Sequence, residues 1–364
     1  GDERTGPFLL SNINRKSRLS IFKRTSQLQS KIMKLAVVLL NWNGETLLRQ
    51  FLPSTLAHSR EANIYVIDNG STDGSLAYLK NQKEVTTICL EKNWGFAEGY
   101  NLGLQQIDAD LYCLLNTDVE VSSNWLTPLL NAFTSNLKLA VAQPHILDYY
   151  QKTNFEYAGA AGGYIDALGY AFCRGRLFDN LEQDNGQYDD TTDIAWASGA
   201  CFFIRKNVFD RLGGFDSRFF AHQEEIDLCW RARNLGFNVQ AIGASKVYHI
   251  GGGTLPKNTF KLYLNYRNAL AMLAKNLPAN RLLIRLFLRM LLDGIAGVRH
   301  LLKGEFRFIG AILNAHFYFY RHFPTYLKQR QNNYTTDYYY VYSVVYQVFI
   351  KKIKKFSTLL KNQR

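Results

Sequence analysis

Carboxylates and carboxamides recur where apolar runs stop. LYCLLNTDVEV (111–121) ends in Asn116, Thr117 and Asp118; VIDNGSTDGS places Asp68 and Asn69 after a second run; LNWNGETLL places Asn41 and Asn43 after a third. A carboxylate there can simply start a turn. It is also what a hard divalent cation takes while keeping waters and phosphate oxygens, so Asp118 is a candidate for Mg2+ or Mn2+, with Asn116 assisting as a neutral oxygen or through water. Asp68, acceptor-only when ionised, suits an imide N–H or a ribose hydroxyl; the structural alternative is a helix N-cap through Ser71, Thr72 or Asp73.

NWGFAEGYNLGL (93–104) spaces Gly95, Gly99 and Gly103 four apart on one helical face. That pattern serves close helix packing, or a close backbone approach to a ligand at Gly95 with Asn93 or Asn101 touching it. Further on, Glu224, Glu225 and Asp227 crowd three carboxylates into four positions at an expected helix start. The helix dipole favours them there, and Arg231 pairs with Asp227 at i+4. Two adjacent glutamates remain unexplained, and one of them should face a cleft. His249 in VYHIGGGT follows a strand and precedes glycines able to close a loop over phosphates.

The elements that must position these residues alternate. From Met33 to about Val121, short Val/Ile/Leu-rich runs are separated by segments with helical apolar spacing, which predicts an α/β fold with a mixed, mostly parallel sheet and flanking helices. In such sheets ligands bind beyond the carboxyl ends of strands, where these polar residues sit. The first strand is followed by neither G-x-G-x-x-G nor a P-loop, which argues against dinucleotide oxidoreductases and P-loop NTPases.

Charge is uneven along the 364 residues: the net +13 comes from basic flanks around an acidic middle. Five cysteines with no C-x-x-C pair predict reduced, mostly buried thiols in a cytosolic protein. Residues 1–32 lack the apolar core of a secretory signal and are expected to be a disordered basic extension or an artefact of the start site.

Seven segments in order resemble glycosyltransferase family 2, in its rhamnosyltransferase-like branch: VVLLNWNG, VIDNGSTDGS, NWGFAEGYNLGL, LLNTDVEV, GGFDSRFFAHQEEIDLCWR, VYHIGGG and YLNYRNALAMLAKN. The resemblance covers Met33 to about Asn276. It implies a GT-A catalytic domain over 33–276, a nucleotide-sugar donor, a divalent cation and inversion at the anomeric carbon. Asp68 would take the nucleobase or ribose, with Asn41, Asn43, Asn69, Asn93, Gly95, Asn101 and Asn116 around the nucleotide sugar. Asp118 and His249 would serve the metal, Glu225 or Glu224 would be the catalytic base, and Trp196, Gly199 and Asp227 would lie on the acceptor side. Two departures stand out: Asn116 replaces the first Asp of a D-x-D, and Glu225 replaces the usual Asp. They leave open a catalytically inactive nucleotide-sugar or polysaccharide-binding subunit.

Residues 277–364 change character. In NRLLIRLFLRMLLDGIAG, Arg281, Arg285, Arg289 and Asp293 recur every four residues on an otherwise apolar helix. FIGAILNAHFYFY and YYYVYSVVYQVFI are too short to span a bilayer, and Lys351, Lys352, Lys354 and Lys355 follow the second. This predicts a basic amphipathic helical extension lying on the anionic inner face of the cytoplasmic membrane, suited to a saccharide or lipid-linked saccharide acceptor in bacterial surface polysaccharide synthesis. Packing on the catalytic domain is the alternative. No motif suggests a nucleic-acid partner.

Overall fold

The computed structural model describes residues 33–251 and 259–359. The expectation for residues 1–32 falls outside them. The described residues from Leu35 onward form one compact unit.

The predicted alternation is present: β1 (Leu35–Asn41), α1 (Glu45–His58), β2 (Ala62–Asp68), α2 (Ser75–Leu79), β3 (Val85–Cys89), α3 (Gly95–Leu104) and β4 (Leu111–Leu115). These four strands are parallel, joined by crossover helices, with the central β1 and β4 buried on both faces and the edge strand β3 partly exposed. Next come β5 (Val119–Val121), α4 (Leu126–Ser135), β6 (Leu139–Asp148), β7 (Gly163–Ile165), β8 (Ala171–Cys173), β9 (Arg176–Leu177), β10 (Asn180–Leu181), β11 (Thr191–Asp193) and β12 (Cys201–Arg205). The chain continues through α5 (Lys206–Arg211), α6 (Glu224–Asn234), β13 (Asn238–His249), α7 (Thr259–Asn276), α8 (Ala279–Leu302) and α9 (Phe306–Lys328).

The main sheet runs β11-β13-β6-β12-β4-β1-β2-β3, with β5 on β13. Its mixed character comes from β12, antiparallel to both β4 and β6, while β6 and β13 are parallel. The strands β7 to β10 form a second small sheet. Register sets the level of the strand ends: Asn41 pairs with Asp68, and His249 pairs with Val119 and with Asp148.

The glycines of α3 serve packing. A Cβ on Gly103 would lie 2.2 Å from the Ile67 side chain, and one on Gly99 would lie 3.0 Å from both Asn69 and Leu40. Gly95 has φ +77°, and a Cβ there would lie 2.7 Å from the Phe220 ring. Its glycine is required by backbone conformation and by that ring.

The region after Asn276 splits the two apolar windows. The window in α9 is helical, with Phe306, Leu313, Phe317 and Tyr320 exposed. The Tyr/Val-rich window is a strap folded back on the protein, not an interfacial helix: Tyr338, Val341, Val344 and Val348 are buried, and Tyr338 stacks on Trp230 at 4.8 Å. The tyrosines and valines supply a side that fits the small sheet, where Phe356 stacks on Tyr164 at 5.3 Å.

Candidate functional site

Asn41 and Asp68, at the tips of β1 and β2, are fully buried and joined: Asn41 Nδ2 donates to Asp68 Oδ2 at 3.0 Å and to Ser71 Oγ at 3.1 Å. The Ser71 backbone N–H donates to Asp68 Oδ1 at 2.9 Å, so Asp68 organises the turn after β2 while keeping lone pairs in reserve. Asn41 Oδ1 is buried without a donor. A Cβ on Gly44 would sit 2.4 Å from that oxygen and 3.8 Å from Thr117 Oγ1, so the tips of β1 and β4 meet at this glycine. Asn43, with φ 51°, lies on the exposed rim and accepts from the Thr72 N–H at 2.7 Å.

Asn69 and Asn93 are occupied in building the entry to α3. Asn69 Nδ2 donates to Asn93 Oδ1 and to the Gly95 carbonyl, while Asn69 Oδ1 accepts from the Trp94 N–H. Asn93 Oδ1 also accepts from the Gly95 N–H at 2.8 Å. Asn101 bonds both ways to the Phe215 backbone, at 2.8 and 3.0 Å. These three amides position loops.

The tip of β4 meets the end of β13. His249 Nε2 lies 3.1 Å from Asp118 Oδ1 and 3.4 Å from Asn116 Nδ2, and its Nδ1 lies 3.3 Å from Glu156 Oε2. Burial pulls the imidazole down, but hydrogen bonds and attraction from Asp118 and Glu156 outweigh it and raise it to about 10. A carboxylate behind the second ring nitrogen is how metal-binding histidines are oriented. Asp118 and His249 fit a divalent cation that takes the place of the proton on Nε2, with the remaining positions left to waters and substrate oxygens. Glu156 escaped the sequence reading: NFEYAGA carries no spacing signal, and the residue reaches His249 only through the fold.

Among the described residues a tighter His/Asp cluster, His145, Asp184 and Asp189, lies elsewhere. His145 pairs with Lys246, three positions before His249 on the β13 ladder. Lys246 Nζ stands 2.6 Å from Asp184 and 3.2 Å from Asp189, so the cluster carries its own cation.

The glutamate pair opens α6 after a strained turn. Phe220, His222 and Gln223 all have positive φ, between 62° and 70°. Such backbone persists only where surroundings impose it. Asn268 Nδ2 reaches the carbonyls of Phe219, Ala221 and His222 at 3.0, 2.9 and 2.7 Å, and Arg267 Nη2 donates to those of Arg218 and Phe219. The YRN of α7 thus clamps this turn, a role its sequence did not reveal. The Phe220 carbonyl accepts from the Phe96 N–H at 3.0 Å, tying the turn to α3.

Glu224 is buried, Glu225 partly so, and each keeps one buried oxygen without a partner. Burial and then the neighbouring Glu225 push Glu224 well above the carboxylate range. Burial raises Glu225 to about 7 against backbone N–H groups that hold it down. Burial raises the Cys173 thiol against the neighbouring Arg176, and Glu156 and Glu225 add to the rise.

Asp227 is fully buried and held ionised: Lys275 and Arg231 each approach Oδ2 at 2.8 Å and overcome burial, while Asn276 donates to Oδ1. Its expected acceptor role is replaced by fastening α6 to α7. Trp196 is also internal, its indole N–H donating to the Tyr164 carbonyl at 2.9 Å. Gly199 precedes Ala200, whose carbonyl accepts from the Asn116 N–H, and a Cβ there would lie 3.2 Å from the Phe96 ring. Gly251 is described, but Gly252 and Gly253, expected to form a phosphate-covering loop, lie outside the described residues.

Comparison with known proteins follows this geometry. The family described as Glycosyl transferase family 2 matches residues 36–213. N-acetylglucosaminyl-diphospho-decaprenol L-rhamnosyltransferase of Mycobacterium tuberculosis is 26% identical over 232 residues, 59% of this chain and 75% of that protein. The dTDP-rhamnosyl transferase RfbF of Shigella flexneri is 23% identical over 244 residues, 62% of this chain and 76% of that protein. The crystal structure of GalNAc-T7 with UDP, GalNAc and Mn2+ superposes with a TM-score of 0.51 at 17% identity, over 66% of this chain and 51% of that one, a likeness of fold. Residues 36–213 thus match glycosyltransferase family 2, the fold is of the GT-A type, and the sequence is similar to rhamnosyltransferases of that family.

Proposed function

We propose that this protein transfers a sugar, with inversion, from a nucleoside-diphosphate sugar to a hydroxyl of a lipid-linked saccharide in surface polysaccharide synthesis. One observation carries the reading: Glu224 and Glu225 stand side by side at a helix start, each with a buried, unpartnered oxygen. Leaving such groups unsatisfied costs stability. A protein that only bound sugars would have no use for a carboxylate raised to about 7, whereas a general base poised near the working pH does. This favours an enzyme over an inactive binding subunit.

Glu225, the less buried of the pair, takes the proton of the acceptor hydroxyl as that oxygen attacks the anomeric carbon. Glu224 stays protonated beside it. Asp118 and His249 would hold Mg2+ or Mn2+, with Glu156 orienting the imidazole. Bound there, the cation supplies charge stabilisation for the departing diphosphate. Asp68 and the Asn41 carbonyl oxygen accept from the ribose or base. The names of the mycobacterial and Shigella relatives, which act on a diphospho-decaprenol acceptor and carry dTDP-rhamnosyl, favour this donor and acceptor class.

Membrane association at the anionic inner leaflet completes the reading. No described helix is long and apolar enough to cross a membrane. Helix α8 turns its charges inward: Arg285, Arg289 and Asp293 are buried, while Leu283, Ile284, Phe287, Leu291, Ile295 and Val298 are exposed. That outward stripe suits a bilayer surface, and Lys351, Lys352, Lys354 and Lys355 are exposed for anionic headgroups.

Slow donor hydrolysis without acceptor tests the central reading, alongside melting-temperature shifts with nucleotide sugars in the presence and absence of Mn2+. Stabilisation by a nucleotide sugar with no turnover by any route would return the protein to the binding class.

A further inference from the structure

A groove of about 770 Å3 lies between α7 and α9, lined by Thr259, Phe260 and Tyr263 on one side and by Arg307, Asn314 and Arg321 on the other. The last three are seven residues apart, so they form one stripe along α9 about 21 Å long. Gly310, Ala311 and Phe317 fill the spaces between them and make the floor apolar. Arg307 and Arg321 are exposed, and neither has a carboxylate partner among the described residues. Three nearby guanidiniums are by contrast occupied: Arg289 by Asp293, Arg267 and Arg330 by carbonyls.

The groove has two neighbours. At one end Phe260 packs on Phe220 with ring centroids 6.1 Å apart, and Phe220 belongs to the turn that presents the glutamate pair. Along its outer edge Phe317 is 69% exposed and continues into the apolar stripe of Phe306, Leu313 and Tyr320. An amphiphile can therefore pass from a bilayer into the groove along apolar surface and arrive beside the glutamates.

Building on the proposed transfer reaction, we propose that this groove binds the diphosphate and first isoprene units of a polyprenyl-diphosphate-linked acceptor. One guanidinium of the stripe, Arg307 or Arg321, takes the diphosphate charge, as suits a planar bidentate donor. Phe260, Tyr263 and Phe317 cover the hydrocarbon. The saccharide then extends past Phe220 toward Glu225. The free diphosphate has the same charge but no use for the apolar floor, which separates the two ligands.

The probe is farnesyl diphosphate, titrated into the full chain and followed by intrinsic fluorescence or calorimetry, with pyrophosphate and farnesol as separate arms. Saturable binding of farnesyl diphosphate is expected, at least tenfold tighter than either fragment. Arg307→Ala/Arg321→Ala should weaken it at least tenfold with the melting temperature unchanged, since both side chains are exposed. Absence of saturable binding, binding of pyrophosphate as tight as farnesyl diphosphate, or indifference to the double substitution each overturns the proposal. Donor hydrolysis by the unsubstituted protein is a separate readout, so the groove and the transfer reaction can fail independently.

Discussion

Two regions bury charge in opposite ways. At the tips of β1, β4, β13 and the start of α6, buried polar atoms are left over: Asn41 Oδ1 and one oxygen on each of Glu224 and Glu225 have no partner. On α8 the buried carboxylate is fully used, since Asp293 receives Arg289 at 2.8 Å and His316 at 3.2 Å; the buried atoms left over there are single guanidinium nitrogens of Arg281 and Arg285. The comparison teaches that a buried carboxylate oxygen left without a partner is what marks a place for another molecule. A charged residue being inside does not by itself mark a site.

The sharpest attempt to break this contrast is at the glutamates. Glu225→Gln should lower sugar transfer by about 10²–10⁴-fold while nucleotide-sugar binding, read by melting-temperature shift, persists. Full activity in that variant would make the unpartnered oxygens incidental. On the other side, Asp293→Ala leaves Arg289 buried and unpaired, and about 3–5 kcal/mol of unfolding free energy should be lost in denaturant titration. A change within about 0.5 kcal/mol would mean that the inward charges of α8 are not paired in solution.

Phe287→Ser with Leu291→Ser tests the outward face. Each removes an apolar contact worth about 1.5–3 kcal/mol if it is buried in lipid, so partition onto anionic vesicles should fall by at least tenfold. The same vesicle affinity as the unsubstituted chain would assign that face elsewhere.

The gentlest effect is a slope. With Glu225 titrating near 7, transfer should fall about tenfold per pH unit below that value. Stability runs the other way. The folded state holds a proton that the unfolded chain has released, so between about 4.5 and 7 the Glu225 contribution becomes more unfavourable as pH rises, and it levels off above 7. Glu225→Gln should therefore gain more melting temperature over the unsubstituted protein at pH 8 than at pH 4.5. An equal gain at both would deny the raised carboxyl.

The alternation of Val/Ile/Leu runs with amphipathic segments made β1 to β4 and their helices legible, because each of those elements is defined by its own residues. Asp118, His249 and the glutamates were legible for a related reason: a carboxylate or imidazole beside an apolar run conflicts with its surroundings. Glu156, Arg267 and Asn268 have no such local conflict, and their partners are between 46 and 93 residues away. The four-residue charge stripe of α8 was visible, but its direction was not. Periodicity fixes which residues share a face and leaves open whether that face looks in or out. Tyr170, over which Arg289 stacks at 4.1 Å, decides it from 119 residues upstream.

The left-handed turn at 220–223 has a consequence for how such proteins can be cut and recombined. The family match stops at residue 213, yet both glutamates and the amide that braces their approach come later. A fragment trimmed to the matched span would keep the sheet and lose the reacting carboxylates. A chimera joined between 234 and 259 would pair one parent's turn with another's brace. Splice points that respect this interdependence lie after the strap, because Tyr338 still packs on Trp230 of α6 long after Asn276 has bonded to Asp227.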